Sequence, residues 1–181
     1  ANLPLLDPLV QNLFRHVEQA GLPLCFHIAT HKGGTYGLVD DMGLPQLEKC
    51  LRRFPNLIFL GHSQVFWSEI GKLETPADRS GYPRYAFEEE GVVPKLLRRY
   101  ENLYGDLSAG SGHNALNRNP DYAACFLEEF QDRLLFGTDI TRPCTSIPLP
   151  ELLLKFRDER RISETVFRKV ARENAVRLLN L

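Results

Sequence analysis

Arg133-Leu134-Leu135-Phe136-Gly137-Thr138-Asp139-Ile140 is the stretch whose reading decides the fold. Leu134, Leu135 and Phe136 form a short apolar run, the pattern of a strand buried on both faces. Gly137 and Thr138 then carry the chain to Asp139, which this reading places at the C-terminal end of that strand. A carboxylate at the rim of a buried strand is costly to desolvate unless it meets a cation, a metal or hydrogen-bond donors. Two further runs end in the same way. Leu22-Pro23-Leu24-Cys25-Phe26 leads into His27, and Asn56-Leu57-Ile58-Phe59-Leu60-Gly61 leads into His62. Three such strands would bring metal-capable side chains to one rim of a parallel sheet, where ligands and chemistry sit in α/β folds.

The segments between these strands read as helices. Asp7-Pro8 is a cap followed by a first-turn proline; Leu9, Val10, Leu13, Phe14 and Val17 recur at helical spacing, and Gly21 ends the run. A polar, glycine-rich loop is expected over 30–41, then a helix with Pro45 in its first turn and Leu44, Leu47, Leu51 and Phe54 on one face. Val92, Val93, Leu96, Leu97 and Tyr100 mark a third helix leading to a strand at 103–108. Asn119-Pro120 opens a fourth, with Tyr122, Phe126, Leu127 and Phe130 buried. Two closing helices follow a proline-rich loop over 143–150; Ser163 is the expected cap of the last, with Ile162 and Phe167 as its hydrophobic staple. The longest interval between strand cores, 63–90, contains the chain's Trp67 and several turn signals, and is expected to be a lid or specificity loop.

Leu51-Arg52-Arg53-Phe54-Pro55-Asn56-Leu57 matches Leu97-Arg98-Arg99-Tyr100-Glu101-Asn102-Leu103, each joining a helix to a strand. A repeated joint of this kind indicates repeated βα units. The expected fold class is therefore α/β: a partial TIM-type (β/α) barrel of about four parallel βα units plus closing C-terminal helices, forming a single domain over 1–181. Four units cannot close a barrel. The strands at Leu24 and Leu134 should be sheet edges, and the chain is expected to form a homo-oligomer or to pair with an N-terminal half.

The totals narrow the function classes. The 181 residues are 43% hydrophobic and 25% charged, as in one globular domain. With 22 basic against 23 acidic residues the net charge is −1, which gives no electrostatic footprint for nucleic acid or a membrane surface. The longest apolar runs are about six residues, far below the roughly 20 that span a bilayer. Cys25, Cys50, Cys125 and Cys144 are widely spaced without a C-x-x-C pair, so they are expected to be reduced core or near-core thiols of a cytoplasmic protein.

At the rim, His27 and Asp139 are the candidate metal ligands, and His62 and Asp139 the candidate catalytic groups. Imidazole and carboxylate are the usual non-thiolate ligands of zinc, and an open coordination position would hold an activated water. Asp106 and Ser108 share one face of their strand. Asp106, Trp67, His113 and Arg142 are candidate substrate contacts, with Lys32 beside them. Gly110-Ser111-Gly112-His113 is not a G-x-S-x-G elbow, so no serine nucleophile is read there.

The pieces Leu24-Cys25-Phe26-His27, 57–62, 102–108, Leu134-Leu135-Phe136-Gly137-Thr138-Asp139 and Glu173-Asn174-Ala175-Val176-Arg177-Leu178-Leu179 resemble the amidohydrolase superfamily. The branch they resemble contains metal-dependent hydrolases and aminocarboxymuconate-semialdehyde-type decarboxylases. The resemblance implies that these are strands five to eight, the C-terminal half of the barrel. It implies that His27 is the fifth-strand metal ligand and that His62 is the sixth-strand histidine, assisting chemistry or binding a second metal. Asp139 would be the eighth-strand ligand and proton shuttle. The chain contains no His-x-His, the family's first-strand pair. The implied activity is hydrolysis of a C–N or C–O bond of a small molecule with Zn2+ or another divalent metal. Decarboxylation of a small carboxylic acid, or a non-catalytic half-barrel, are the alternatives.

Overall fold

The first helix, α1 (Pro8–Gln19), begins where Asp7 accepts a hydrogen bond from the Leu9 N–H at 2.9 Å. Val10 and Phe14 face the core, whereas Leu9 and Leu13 are 72% and 53% exposed, so the buried stripe is narrower than the periodicity suggests. The computed structural model describes residues 2–34 and 36–181; Ala1 and Thr35, the latter within the loop expected over 30–41, lie outside the described residues. Strand β1 (Leu24–Ala29) runs two residues beyond His27. A short strand, β2 (Leu38–Val39), then forms inside the expected polar loop and pairs with Ile28 and Ala29. The chain continues through α2 (Pro45–Arg53), β3 (Phe59–His62), α3 (Gln64–Ser68), a 3₁₀ turn (Pro76–Ser80), α4 (Val92–Arg99) and β4 (Leu103–Asp106). After these come α5 (Ala109–Asn117), α6 (Pro120–Glu129), β5 (Leu134–Leu135), α7 (Leu149–Asp158), α8 (Glu164–Arg168), a π turn (Lys169–Glu173) and α9 (Asn174–Leu179).

The five strands are parallel and ordered β2-β1-β3-β4-β5. This is an α/β architecture consistent with a partial TIM-type barrel. The fifth strand also means that β1 is covered at its C-terminal half rather than being a free edge along its length. Phe26, Ile28, Phe59, Leu103 and Leu134 are buried in the core. The alternate residues His27, Leu60, His62, Tyr104 and Asp106 are half-buried and Cys25 is exposed. β3, β4 and the first part of β1 are thus buried chiefly on one face, the other face being the open inner wall, whereas β5 is buried on both, as Leu134 and Leu135 show.

The repeated joint has a physical cause. Asn102 Nδ2 donates to the carbonyls of Leu51, Phe54 and Leu57 at 3.2, 2.9 and 3.2 Å. Arg133 Nη1 donates to the equivalent carbonyls one unit on, Leu97, Tyr100 and Leu103, at 2.6, 2.9 and 3.5 Å. Asn174 Nδ2 continues the series at Gln131 and Leu134, at 2.6 and 2.8 Å. Each unit therefore holds the helix end and strand start of the one before it, which sets the strand register and so the rim. Asn102→Ala removes one donor from three carbonyls, and chemical denaturation should show a loss of about 2–3 kcal/mol.

The segment 63–90, expected to be a lid or specificity loop, begins as core. Val65, Phe66 and Trp67 are fully buried, and a Cβ at Gly105 would lie 2.7 Å from the Trp67 ring, so the indole packs flush against β4. A buried ion pair between Arg79 and Glu69 ties the segment down, with Arg79 Nη1 on the Asp40 carbonyl at 2.7 Å and the Gly43 N–H on Glu69 at 2.7 Å. Of the four cysteines only Cys50 is buried; the other three are exposed rather than core thiols.

Candidate active site at the strand rim

The register sets the site. His27 and His62 are direct neighbours across β1 and β3, and Gly61 pairs with Gly105, so Asp106 stands beside His62 one position on. The rings of His27 and His62 lie 5.7 Å apart. Together with Cys25, Asp106, Ser108 and Asp139 they line a cleft of about 590 Å³ on the open inner face, floored by Leu60 and Leu135. That volume is within the range of small-molecule sites. Non-glycine residues with positive φ follow three of the strands: Ser63 (φ 109), Ala109 (φ 63) and Asp139 (φ 53). Such conformations cost about 1–3 kcal/mol each and cluster at functional sites.

The best-defined group is His62. Its Nδ1 is 3.1 Å from Asp106 Oδ2 and 3.2 Å from Ser108 Oγ. Ser108 Oγ itself donates to Asp106 Oδ2 at 2.9 Å, and the Ser108 N–H donates to Asp106 Oδ1 at 2.9 Å. Since the serine proton is engaged by the carboxylate, both neighbours of Nδ1 are acceptors, and Nδ1 carries a proton. In the neutral ring Nε2 is then the basic nitrogen. The same bonds exclude Ser108 as a nucleophile activated by His62.

These contacts separate the ionisations. The Asp106 hydrogen bond raises His62 above the ordinary imidazole value, against the effect of burial. Burial pushes Asp106 upward, but the His62 and Ser108 hydrogen bonds outweigh it and leave the carboxyl below its usual range. His27 is lowered, first by burial and then by the neighbouring His62. One imidazole is thus held toward its cation and its neighbour toward the neutral form, the separation that acid–base chemistry needs. Although Cys25 is exposed as a residue, partial desolvation of its thiol and the Asp106 carboxylate 3.8 Å from Sγ push it up to about 11, so it stays a thiol.

The pair also links stability to pH. His62, raised on folding, contributes stability that is lost as pH climbs through its folded pKa. Asp106, depressed on folding, contributes stability that is lost as pH falls through its own. Stability from the pair is therefore greatest between the two, and Asp106→Asn should flatten both shoulders in denaturation curves recorded across pH.

The other expected site residues divide. Asp139 lies four residues beyond the end of β5 and is exposed; its charge acts on His27, His62 and Cys25 across the cleft. Trp67 makes no wall of the cleft: it lies behind β4, and its Nε1 donates to the Asp106 carbonyl at 2.7 Å, fixing that residue from the core side. Asp106 has its carboxylate committed to His62 and Ser108. His113 sits on α5, in a different cavity. Arg142 and Lys32 are exposed and outside the cleft lining. Ser108 and Tyr36, whose ring lies 4.1 Å from that of His27, are the additions. The Asp-x-Ser spacing on one strand face was the available signal for Ser108.

The amidohydrolase family profile matches residues 2–181. The chain belongs to the amidohydrolase family. No match was found among curated proteins. A solved structure of 2,6-dihydroxybenzoate decarboxylase in complex with 2,6-dihydroxybenzoate is similar at 17% identity and a TM-score of 0.48, over 99% of this chain and 57% of that one.

Members of the superfamily generally use a divalent metal. Among the described residues no group of three or more His, Cys, Asp or Glu is arranged to hold one. A catalytic zinc takes three protein ligands. His27 and Asp139 offer two candidates, and His62, whose Nδ1 is held by Asp106, has Nε2 to offer, but no three such groups converge among the described residues. These residues alone do not compose the metal centre that the sequence suggested.

Proposed function

We propose that the rim is the acid–base half of a hydrolytic site for a C–N or C–O bond of a small molecule. The observation that carries this reading is the grip of Asp106 and Ser108 on His62 Nδ1, which leaves Nε2 as the exchangeable position beside the cleft. As imidazolium, His62 protonates the departing nitrogen or oxygen; as imidazole, it accepts a proton from the attacking water. Asp106 stabilises the cation and fixes the ring, as an orienting carboxylate does for other catalytic histidines. Neutral His27 supports the reading as a second donor or ligand at the same rim. A divalent ion bound here would need ligands beyond His27 and Asp139, and no step is assigned to it.

The test is turnover of a panel of small amides, esters, lactones and aromatic or enoic carboxylic acids, with and without added divalent metals. Hydrolysis that falls with Asp106→Asn supports the proposal. Release of CO2 without hydrolysis overturns it in favour of decarboxylation, and hydrolysis indifferent to Asp106→Asn removes the assigned acid–base role.

A further inference from the structure

A second cavity, of about 390 Å³, lies between α5 and the segment 63–90 and is lined by Tyr82, Arg84, His113, Asn114, Asn117 and Arg118. Its lining holds two guanidinium groups and an imidazole, and no carboxylate. Arg118 is 5% exposed and stacks between the rings of Tyr85 and Phe87 at 5.0 and 4.9 Å. Its Nε and Nη1 donate to the carbonyls of Tyr85 and Ser68 at 3.1 and 3.0 Å, while the buried Nη2 has no acceptor. Asp78 and Glu74 act on Arg118 from a distance, but among the described residues neither forms an ion pair with it. Asp78 is instead committed to Thr75 and Tyr85.

Asn114 Nδ2 donates to the Pro83 carbonyl at 3.1 Å and so fixes the backbone next to Arg84. Arg84 is exposed and carries no ion pair among the described residues. The fixed positive charge of Arg118 in the wall, a guanidinium at Arg84 without an ion pair and side-chain amides around one cavity are the chemistry that recognises an oxyanion. We propose that this cavity binds a carboxylate or phosphate group of a small ligand, held by Arg84 and His113 against the fixed charge of Arg118. Burial keeps His113 below the ordinary imidazole range, so at neutral pH it meets the anion as a neutral donor. The proposal stands independently of the chemistry assigned to the cleft.

The experiment is an NMR titration of the His113 imidazole in the full chain with inorganic phosphate and, separately, with acetate. A saturable shift with either anion is expected, and the one that binds more tightly identifies the group. Arg84→Ala, at an exposed position that leaves the fold intact, should weaken binding about tenfold or more, and Arg84→Lys should restore part of it. Absence of a saturable shift with both anions at millimolar concentrations overturns the proposal. So does undiminished binding by Arg84→Ala.

Discussion

Replacing His62 with alanine is expected to lower hydrolytic turnover about 10²- to 10⁴-fold, the range contributed by a positioned acid–base group. The loss should appear in kcat, because His62 acts on a proton that moves in the transition state. Its fold should survive: His62 lies on the open inner wall of β3, and the buried residues of that strand, Phe59 and Gly61, are untouched. Ser108→Ala should have a smaller effect, since Asp106 still orients the ring at 3.1 Å. Steady-state kinetics of the two variants on a hydrolysed substrate make the comparison. Equal losses would mean that Ser108, and not the carboxylate, holds the imidazole.

The second large effect is on stability. Arg79 and Glu69 are 3% and 4% exposed and form an ion pair beneath the rim. Glu69→Ala leaves the guanidinium buried without its counter-charge, and such a rupture costs about 3–5 kcal/mol. At roughly 2–4 °C per kcal/mol for a chain of this size, the melting temperature should fall by about 6–20 °C. Removing both partners together with apolar replacements should recover much of this, because no charge is then stranded. A melting temperature unchanged by Glu69→Ala would show that Arg79 reaches water or another acceptor.

The strands and the two rim histidines were legible because each apolar core leads into its histidine within a single run of residues. The repeated joint was legible too, although its cause was not. That cause lies in Asn102 and Arg133 reaching across 45–51 and 30–36 positions of chain, respectively, to carbonyls that carry no sequence signature. Helix α5 was hidden by Gly110 and Gly112. The latter is needed because a Cβ there would lie 2.1 Å from the Leu107 carbonyl, a packing requirement that mimics a loop signal. Trp67 was misread for a related reason: the turn residues around it mark surface, yet a missing side chain at Gly105 admits the indole to the core. Asp139 was placed at a strand end, but β5 stops at Leu135 and the aspartate sits at φ 53, a backbone conformation that residue type alone does not announce.

The most direct test of the account is the proton on His62. Imidazole NMR of the full chain, titrated with pH, reports both its pKa and its neutral tautomer. The structure predicts a pKa above the ordinary imidazole value, a neutral form protonated at Nδ1, and a downward shift of that pKa in Asp106→Asn. A pKa at or below the ordinary value in both proteins, or a neutral form protonated at Nε2, would contradict the Asp106–His62 arrangement on which the acid–base site rests.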